Sequence, residues 1–492
     1  MTMTTSSPLS PDTGDFTPDL IAVGAGTAGL PLALAAAQEG ARVLLIEKTD
    51  RLGGTLFLST GMFSAGGTRR QRERGIDDSP DEHFADILRI SRGTVNQELV
   101  RRYVDLAPAF VDWLQDQGFA FEEQCPVIIY GHEPYRKPRT YWGVEEGRSL
   151  LALFLRLLDP YFQRGQVRVR FNTRVERLIL EGERVVGVVA GDKEYRAPAV
   201  VLTTGGYASS PELFARFHGG RRLVSIGNLA STGDGILLAE QVGAQVVGNQ
   251  YFLPTFGGIE DPDRPGRVYT EAPDRWEITA RLVPQVRPPW ELWVNQRGER
   301  FIREDEASVD SRERALLQQP DMRFWIVFDE QILREAPPLV LKWPAPRLRE
   351  LAREGRLVKM APTLEELAAK MEVPAEQLLA TVAAYNAALQ AGAPDPLGRQ
   401  HRPLPLAEAP FYALRQQGIV LRTWAGLRVD RDLAVLRPDG SRIEGLYAVG
   451  EVLGAAQFSG DSFCGGMSVG PALVFGRELG RQLARRVAAA RA

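Results

Sequence analysis

Apolar positions in the first fifty residues fall into two short runs separated by a small-residue stretch. Leu20-Ile-Ala-Val23 enters a glycine turn, Leu30-Pro-Leu-Ala-Leu-Ala-Ala-Ala37 leaves it with Gly40 beyond, and Val43-Leu-Leu-Ile46 closes on Glu47. Short apolar runs bounded by turn residues mark buried parallel strands, and the stretch between them reads as a helix with a glycine C-cap. The pattern predicts a strand–helix–strand unit. Helical spacing follows over 81–117, at Leu99, Val100, Tyr103, Leu106, Phe110, Trp113 and Leu114. Strand-like alternation covers 167–171, 175–180, 184–190 and 200–202, the last running into Thr203-Thr204-Gly205-Gly206.

From residue 253 the pattern changes to proline-rich loops and amphipathic helices around 363–390, and near Pro405 alternation returns. It ends in Tyr447-Ala-Val-Gly450-Glu451 and a helix predicted over 472–487, with Pro471 as its first residue. The expected fold class is α/β: a Rossmann-like nucleotide-binding domain interrupted by an inserted second domain. The expected boundaries are a disordered tail at 1–17, the first part of the nucleotide-binding domain at 18–252, the inserted domain at 253–404, and the second part at 405–492.

Composition narrows the function classes. The 492 residues suffice for about three folding units. Charges nearly cancel, 59 Lys+Arg against 62 Asp+Glu, so no overall positive field attracts nucleic acid or an anionic membrane. No apolar run approaches the roughly 18 residues of a membrane span, and residues 1–18 lack a basic and then apolar leader, so a cytoplasmic protein is expected. Two cysteines, Cys125 and Cys464, exclude a disulfide framework and a four-cysteine iron–sulfur cluster. No metal site is expected.

Gly24-Ala-Gly26-Thr-Ala-Gly29 has the spacing of a phosphate-cradling turn. The first glycine makes the turn, the second lets backbone approach a pyrophosphate, the third lets helix pack on strand, and the helix N-terminus attracts the anion. Glu47 lies eighteen residues beyond Gly29, where a carboxylate holds an adenosine ribose and repels a 2′-phosphate. Gly53-Gly54-Thr55 and Ser59-Thr60-Gly61 supply small residues against which a flat group can lie. Thr204-Gly205-Gly206 and Ser231-Thr-Gly-Asp234 form a second turn region about 180 residues on, which suggests one site assembled at the sheet's carboxyl edge. The aromatic and basic loop 130–142 either lines a pocket or lies on the surface.

Together these motifs resemble the FAD-dependent flavoproteins related to fumarate reductase, succinate dehydrogenase, L-aspartate oxidase and the 3-ketosteroid dehydrogenases. The likeness also includes Leu292-Trp-Val-Asn-Gln-Arg-Gly-Glu-Arg-Phe301 and Gly445-Leu-Tyr-Ala-Val-Gly-Glu451 through Gly470-Pro-Ala-Leu-Val-Phe-Gly476. It implies a Rossmann-like FAD-binding domain of the glutathione reductase type interrupted by an inserted α+β capping and substrate domain at 253–404, with FAD held by Gly24, Gly26, Thr27, Ala28, Gly29, Glu47, Lys48, Gly53, Gly54, Thr55, Ser59, Thr60, Gly61, Val175, Thr204, Gly205, Gly206, Asp234, Gly450, Glu451, Ser468 and Val469. By position Glu47 takes the adenosine ribose, the Val175 backbone the adenine, Glu451 the ribitol, and the amides near Ser468 and Val469 the flavin O2/N1 edge. A helix dipole there favours the negative charge of reduced flavin. No histidine stands in 55–61, where some members tether the flavin covalently, so FAD is expected to be non-covalent.

The substrate end departs from the fumarate pattern. Leu253 stands where a histidine is expected, Arg422-Thr423 replaces His-Thr, and Asp461-Ser462-Phe463-Cys464 replaces the final Asn-Arg segment. A dicarboxylate is therefore disfavoured, and Phe463 lacks the hydroxyl of the ketosteroid enzymes' tyrosine. The candidate catalytic residues are Arg422, Arg312, Asp461 and Ser462, with Cys464 and Arg314 nearby. The expected reaction moves hydride between flavin N5 and a C–C bond next to a carbonyl, an arginine polarising the carbonyl or handling the proton. The expected partners are a small-molecule substrate with an activated C–C bond and a separate electron donor or acceptor. A 3-ketosteroid dehydrogenase-like enzyme, an NAD enzyme, and a flavin-binding regulatory or assembly protein without turnover are the alternatives.

Overall fold

A computed structural model describes residues 16–271 and 280–491. Its larger sheet has six strands in the order Ala434–Leu436, Arg442–Ala448, Ala199–Leu202, Leu20–Val23, Val43–Ile46 and Val167–Arg170. All neighbours are parallel except the edge pair Ala434–Leu436 with Arg442–Ala448. Leu20–Val23, Val43–Ile46 and Ala199–Leu202 are buried at every position, as parallel strands covered on both faces must be. The helices Gly29–Gln38 and Val469–Arg491 pack against each other, and the antiparallel sheet Arg177–Glu181, Arg184–Ala190 and Lys193–Arg196 contacts Ala199–Leu202 and Arg442–Ala448.

The second sheet is antiparallel, in the order Thr255–Gly258, Phe411–Ile419, Arg323–Asp329 and Leu292–Val294, with Val358–Ala361 also paired to Phe411–Ile419. It has its own core, built from Phe256, Trp293, Phe324, Ile326 and the helices Ala345–Glu354, Leu364–Met371 and Ala375–Gln390. Phe411–Ile419 belongs to this sheet, so the chain returns to the parallel sheet after Ile419 and not at 405. Alternation of side chains marks a strand but does not name its partner.

Two further differences are local. The expected tail falls at residues 1–15 outside the described residues, while Phe16 is partly buried against the core with the Arg168 guanidinium 4.4 Å from its ring centroid. The final helix begins at Val469, so Pro471 occupies its third position; a first-turn amide has no intrahelical acceptor there either.

Candidate functional site

The carboxyl ends of the parallel strands open onto a cavity of about 3110 Å³. Cavities for single small ligands run to roughly 1,000 Å³, so this one accommodates a dinucleotide together with a second molecule. The glycine turn forms its floor. Gly24 has φ of +105°, and a Cβ there would lie 2.6 Å from the Thr203 carbonyl oxygen. Thr203 Oγ1 donates back to the Gly24 carbonyl at 2.5 Å, stapling the first turn to the strand Ala199–Leu202.

Gly26, Thr27, Ala28, Glu47, Lys48, Gly54, Thr55, Ser59, Thr60, Val175, Thr204, Gly205, Asp234, Gly450, Glu451, Ser468 and Val469 line the cavity with Gly24. Gly29, Gly53, Gly61 and Gly206 do not; they sit one layer behind it. A Cβ on Gly29 would press on the Gly24 carbonyl, on Gly53 against Leu151, on Gly61 against Gly147, and on Gly206 against Thr423 and Glu451. These glycines shape the walls, which motif spacing alone does not distinguish from lining.

Glu47 accepts from the Ala25 amide at 3.0 Å through one oxygen and from the Thr49 amide at 2.8 Å through the other, so its carboxylate is fixed. Glu451 Oε1 accepts from the Thr423 amide and hydroxyl at 2.8 and 3.0 Å, while Oε2 has no partner among the described residues. Burial raises the Glu451 carboxyl against the opposing Thr423 bonds. Lys48 and Asp234 are engaged mainly with one another: Lys48 Nζ lies 2.8 Å from Asp234, which also takes Arg174 at 2.8 Å.

At the far end Arg312, Glu313, Phe256, Arg422 and Phe463 line the same cavity. Arg422 is 5% exposed; its guanidinium lies 3.7 Å from the Phe463 ring centroid and 5.1 Å from that of Trp424 and donates to Ser468 Oγ at 3.0 Å. Arg312 is 1% exposed and donates to the Leu282 carbonyl. Neither has a carboxylate within ion-pair distance among the described residues, and Arg422 Nε and Arg312 Nε and Nη2 have no hydrogen-bond acceptor. Burial pushes both down to about 10, so both stay charged at neutral pH. Two buried cations with no carboxylate within 4.0 Å, and only Glu313 acting on both from further off, suit this end to a negatively charged group.

Asp461 and Ser462 lie outside the cavity. Asp461 pairs with Arg92 at 3.3 Å and Arg314 at 3.2 Å, and Ser462 donates to Asp310 at 2.8 Å, so both serve an ion cluster behind the wall. Arg314 is committed to the same cluster. Leu253 is also outside, packed on Trp424 and Ala456. Cys464 is buried with its thiol pushed up to about 12, too basic to act as a nucleophile at neutral pH.

His132 and Glu313 emerge as lining residues that the sequence left undecided or unmarked. His132 stacks on Phe463 at 3.6 Å, and burial followed by the Arg422 charge pushes it down to about 3, leaving it neutral. Glu313 carried a signal in hindsight. In the helix Val309–Leu317 the buried positions are 309, 310, 312, 313 and 316, and three of them are charged.

Residues 19–469 match the FAD binding domain family, and the chain belongs to it. The chain is 29% identical over 479 residues to an NADH:fumarate oxidoreductase of Klebsiella pneumoniae strain 342, covering 95% of this chain and 48% of that protein. It is 28% identical over 498 residues to a vinyl phenol reductase of Lactiplantibacillus plantarum, covering 95% of this chain and 96% of the relative. Among solved structures, the open conformation of a flavocytochrome c3 fumarate reductase superposes with a TM-score of 0.73 at 26% identity, covering 96% of this chain and 79% of the other. The chain thus spans about half the length of the Klebsiella relative. Among the described residues no helix is long and apolar enough to cross a membrane.

Proposed function

We propose that this protein is an FAD-dependent oxidoreductase that moves hydride between flavin N5 and a C–C bond next to a carbonyl. The observation that carries this reading is the pair of buried guanidiniums, Arg312 and Arg422, with N–H groups left without acceptors, at the far end of a cavity sized for a dinucleotide and a second molecule. The relatives' names, fumarate oxidoreductase and vinyl phenol reductase, describe reductases of activated double bonds and support it.

The residues present fit FAD. Gly26 and Gly54 would let backbone approach the pyrophosphate, Glu47 would hold the adenosine ribose, and the second oxygen of Glu451 would take a ribitol hydroxyl. When bound, the flavin supplies the two-electron hydride chemistry. The protein's own residues do the rest. Arg422 or Arg312 polarises the substrate carbonyl or holds its carboxylate, and Phe256 and Phe463 keep water from the reacting carbons. The second sheet, with the helix Val309–Leu317, acts as a capping unit over the substrate end. FAD is non-covalent, the electron donor or acceptor is a separate molecule, and the protein works in the cytoplasm.

Leu253 and Asp461, two of the departures that disfavour a dicarboxylate, do not line the cavity. Substrate choice among enones, monocarboxylic and dicarboxylic enoates is therefore read experimentally. Purified protein supplied with FAD and reduced anaerobically is mixed with acrylate, cinnamate, fumarate and an enone while flavin absorbance is followed. Reoxidation by one of them is expected. Protein that binds no flavin, or whose reduced flavin none of them reoxidises, overturns the reading.

A further inference from the structure

Among the groups at the far end of the cavity is a buried carboxyl that no side chain among the described residues hydrogen-bonds, with only the backbone at Phe256 against it. Glu313 is 1% exposed, lines the cavity beside Arg312, makes no ion pair within 4.0 Å among the described residues, and its Oε1 has no hydrogen-bond partner. Leaving a buried carboxyl unsatisfied is costly, and a fold without use for it would place Leu or Gln at that position. The neighbouring Asp310 shows the contrast, since it is held by Arg92, Arg314 and Ser462.

We propose that Glu313 is the acid and base for the substrate proton, in place of either arginine; this rests on the reading of the site as an alkene-reducing flavoenzyme. In the reductive direction hydride from the flavin forms the C–H bond at one alkene carbon. The electron pair of the double bond moves to the carbon beside the carbonyl, and that carbon takes the proton as the Glu313 O–H bond breaks. The alkene is reduced, the flavin is oxidised, and water returns the proton to the carboxylate. A separate two-electron donor then re-reduces the flavin. In the oxidative direction the same carboxylate removes the proton. Arg312 and Arg422, lowered only to about 10, stay protonated at neutral pH and hold the anion, whereas Glu313 is the more acidic donor.

The electrostatic surroundings suit the role. Burial pushes Glu313 up to about 8, Arg312 opposes this, Asp310 adds to it, and Arg422 and the backbone at Phe256 oppose it. His132 stays neutral, and the charges acting on Glu313 are Arg312, Asp310 and Arg422. A carboxyl poised near the working pH is an efficient proton donor.

Glu313→Gln, Glu313→Asp and Arg312→Gln, each loaded with FAD, test the assignment with acrylate, cinnamate, fumarate and an enone as oxidants of the reduced flavin. The Gln variant is expected to lose about 10²- to 10⁴-fold in kcat with KM little changed. The Asp variant should recover part of that loss, and the wild-type decline in kcat above pH 8 should disappear in the Gln variant. A second readout needs no turnover. The Glu313 carboxyl is raised in the folded state, so its contribution to stability is full below the unfolded value near 4.5 and is lost as pH rises through about 8. Glu313→Gln should therefore raise Tm at pH 8 more than at pH 5. Full turnover in Glu313→Gln, or a Tm lowered equally at both pH values, overturns the proposal while leaving the functional reading intact. Wild-type protein with bound flavin and no reaction with any oxidant overturns both.

Discussion

Arg422 Nη1 donates to Ser468 Oγ at 3.0 Å, which seats a buried guanidinium beside the first turn of the helix Val469–Arg491. The guanidinium charge and the positive end of the helix dipole therefore act on the same corner of the cavity. A reduced flavin with its negative N1 and O2 edge at this corner would gain from both. Arg422→Gln should lower the two-electron midpoint potential by tens of millivolts, about 30 mV for each 1.4 kcal/mol lost. Arg422→Lys should restore most of it. Dye-equilibrated reduction measures the shift; an unchanged potential together with a raised KM would assign Arg422 to the substrate alone.

Gly26 and Gly54 bring two chain segments to a contact at which a Cβ on Gly54 would lie 3.2 Å from the Gly26 Cα. A Cβ on Gly26 itself meets only the Gly54 Cα, at 3.8 Å, and has room in the protein. Gly26→Ala should leave Tm of the FAD-free protein nearly unchanged and weaken FAD, because the methyl group enters the space where the pyrophosphate approaches. A loss of about 1–3 kcal/mol of binding, the usual cost of overpacking, is expected from fluorescence titration. Gly24→Ala, strained at φ of +105° and blocked by Thr203, should fail in the fold itself.

Arg300, Glu304, Asp395 and Arg399 form a buried ion network that ties the loop after Leu292–Val294 to the segment after Ala375–Gln390. Arg300 meets Asp395 at 2.7 Å, and Arg399 meets Glu304 at 3.3 Å. Removing one partner strands the others, so Asp395→Ala should cost about 3–5 kcal/mol in urea denaturation with little effect on FAD affinity. A cost below 1 kcal/mol would show that water replaces the lost carboxylate.

The parallel sheet and its glycine turns were legible because local chemistry dictates them: continuous apolar strands at Leu20–Val23 and Val43–Ile46, a φ only glycine adopts easily at Gly24, and an acid closing the second strand. The division of the cavity wall was not. Gly61 and Gly206 belong to the same motifs as lining residues, yet tertiary packing turns them away. Asp461 and Ser462 stand in sequence beside Phe463, which faces the cavity, and point instead to Arg92 and Asp310, residues far apart in the chain. Phe411–Ile419 likewise finds its partners at Arg323–Asp329 and Val358–Ala361, pairings that no local pattern specifies. Glu313 stood in a run of charges that reads as a solvated face until its helix is docked.

That helix is docked by charge. Asp310 on Val309–Leu317 binds Arg92 and Arg314, Arg314 reaches Asp461, and Glu133 accepts from the Ser308 hydroxyl at 3.0 Å and the Asp310 amide at 3.2 Å. The cluster fixes the segment carrying Arg312 and Glu313 against the loops at 92–94 and 461–462. Burial alone would raise the Asp310 carboxyl, but Arg314, the Ser462 hydroxyl and Arg92 outweigh it and hold the group below its usual 3.8. With a lowered folded value, the stabilisation is present above the unfolded value and is lost as pH falls through the folded one. Docking should therefore survive to pH 4 and weaken only below it. Arg92 is about half exposed, so its share is screened by salt and is worth at most about 1 kcal/mol. Arg92→Ala should keep bound FAD and the global Tm within a few degrees while lowering kcat several-fold, because Arg312 and Glu313 lose their register over the reacting carbons. Hydrogen exchange at 309–317 measures the release directly, and unchanged protection there in Arg92→Ala would assign the docking to Glu133 and Arg314 instead.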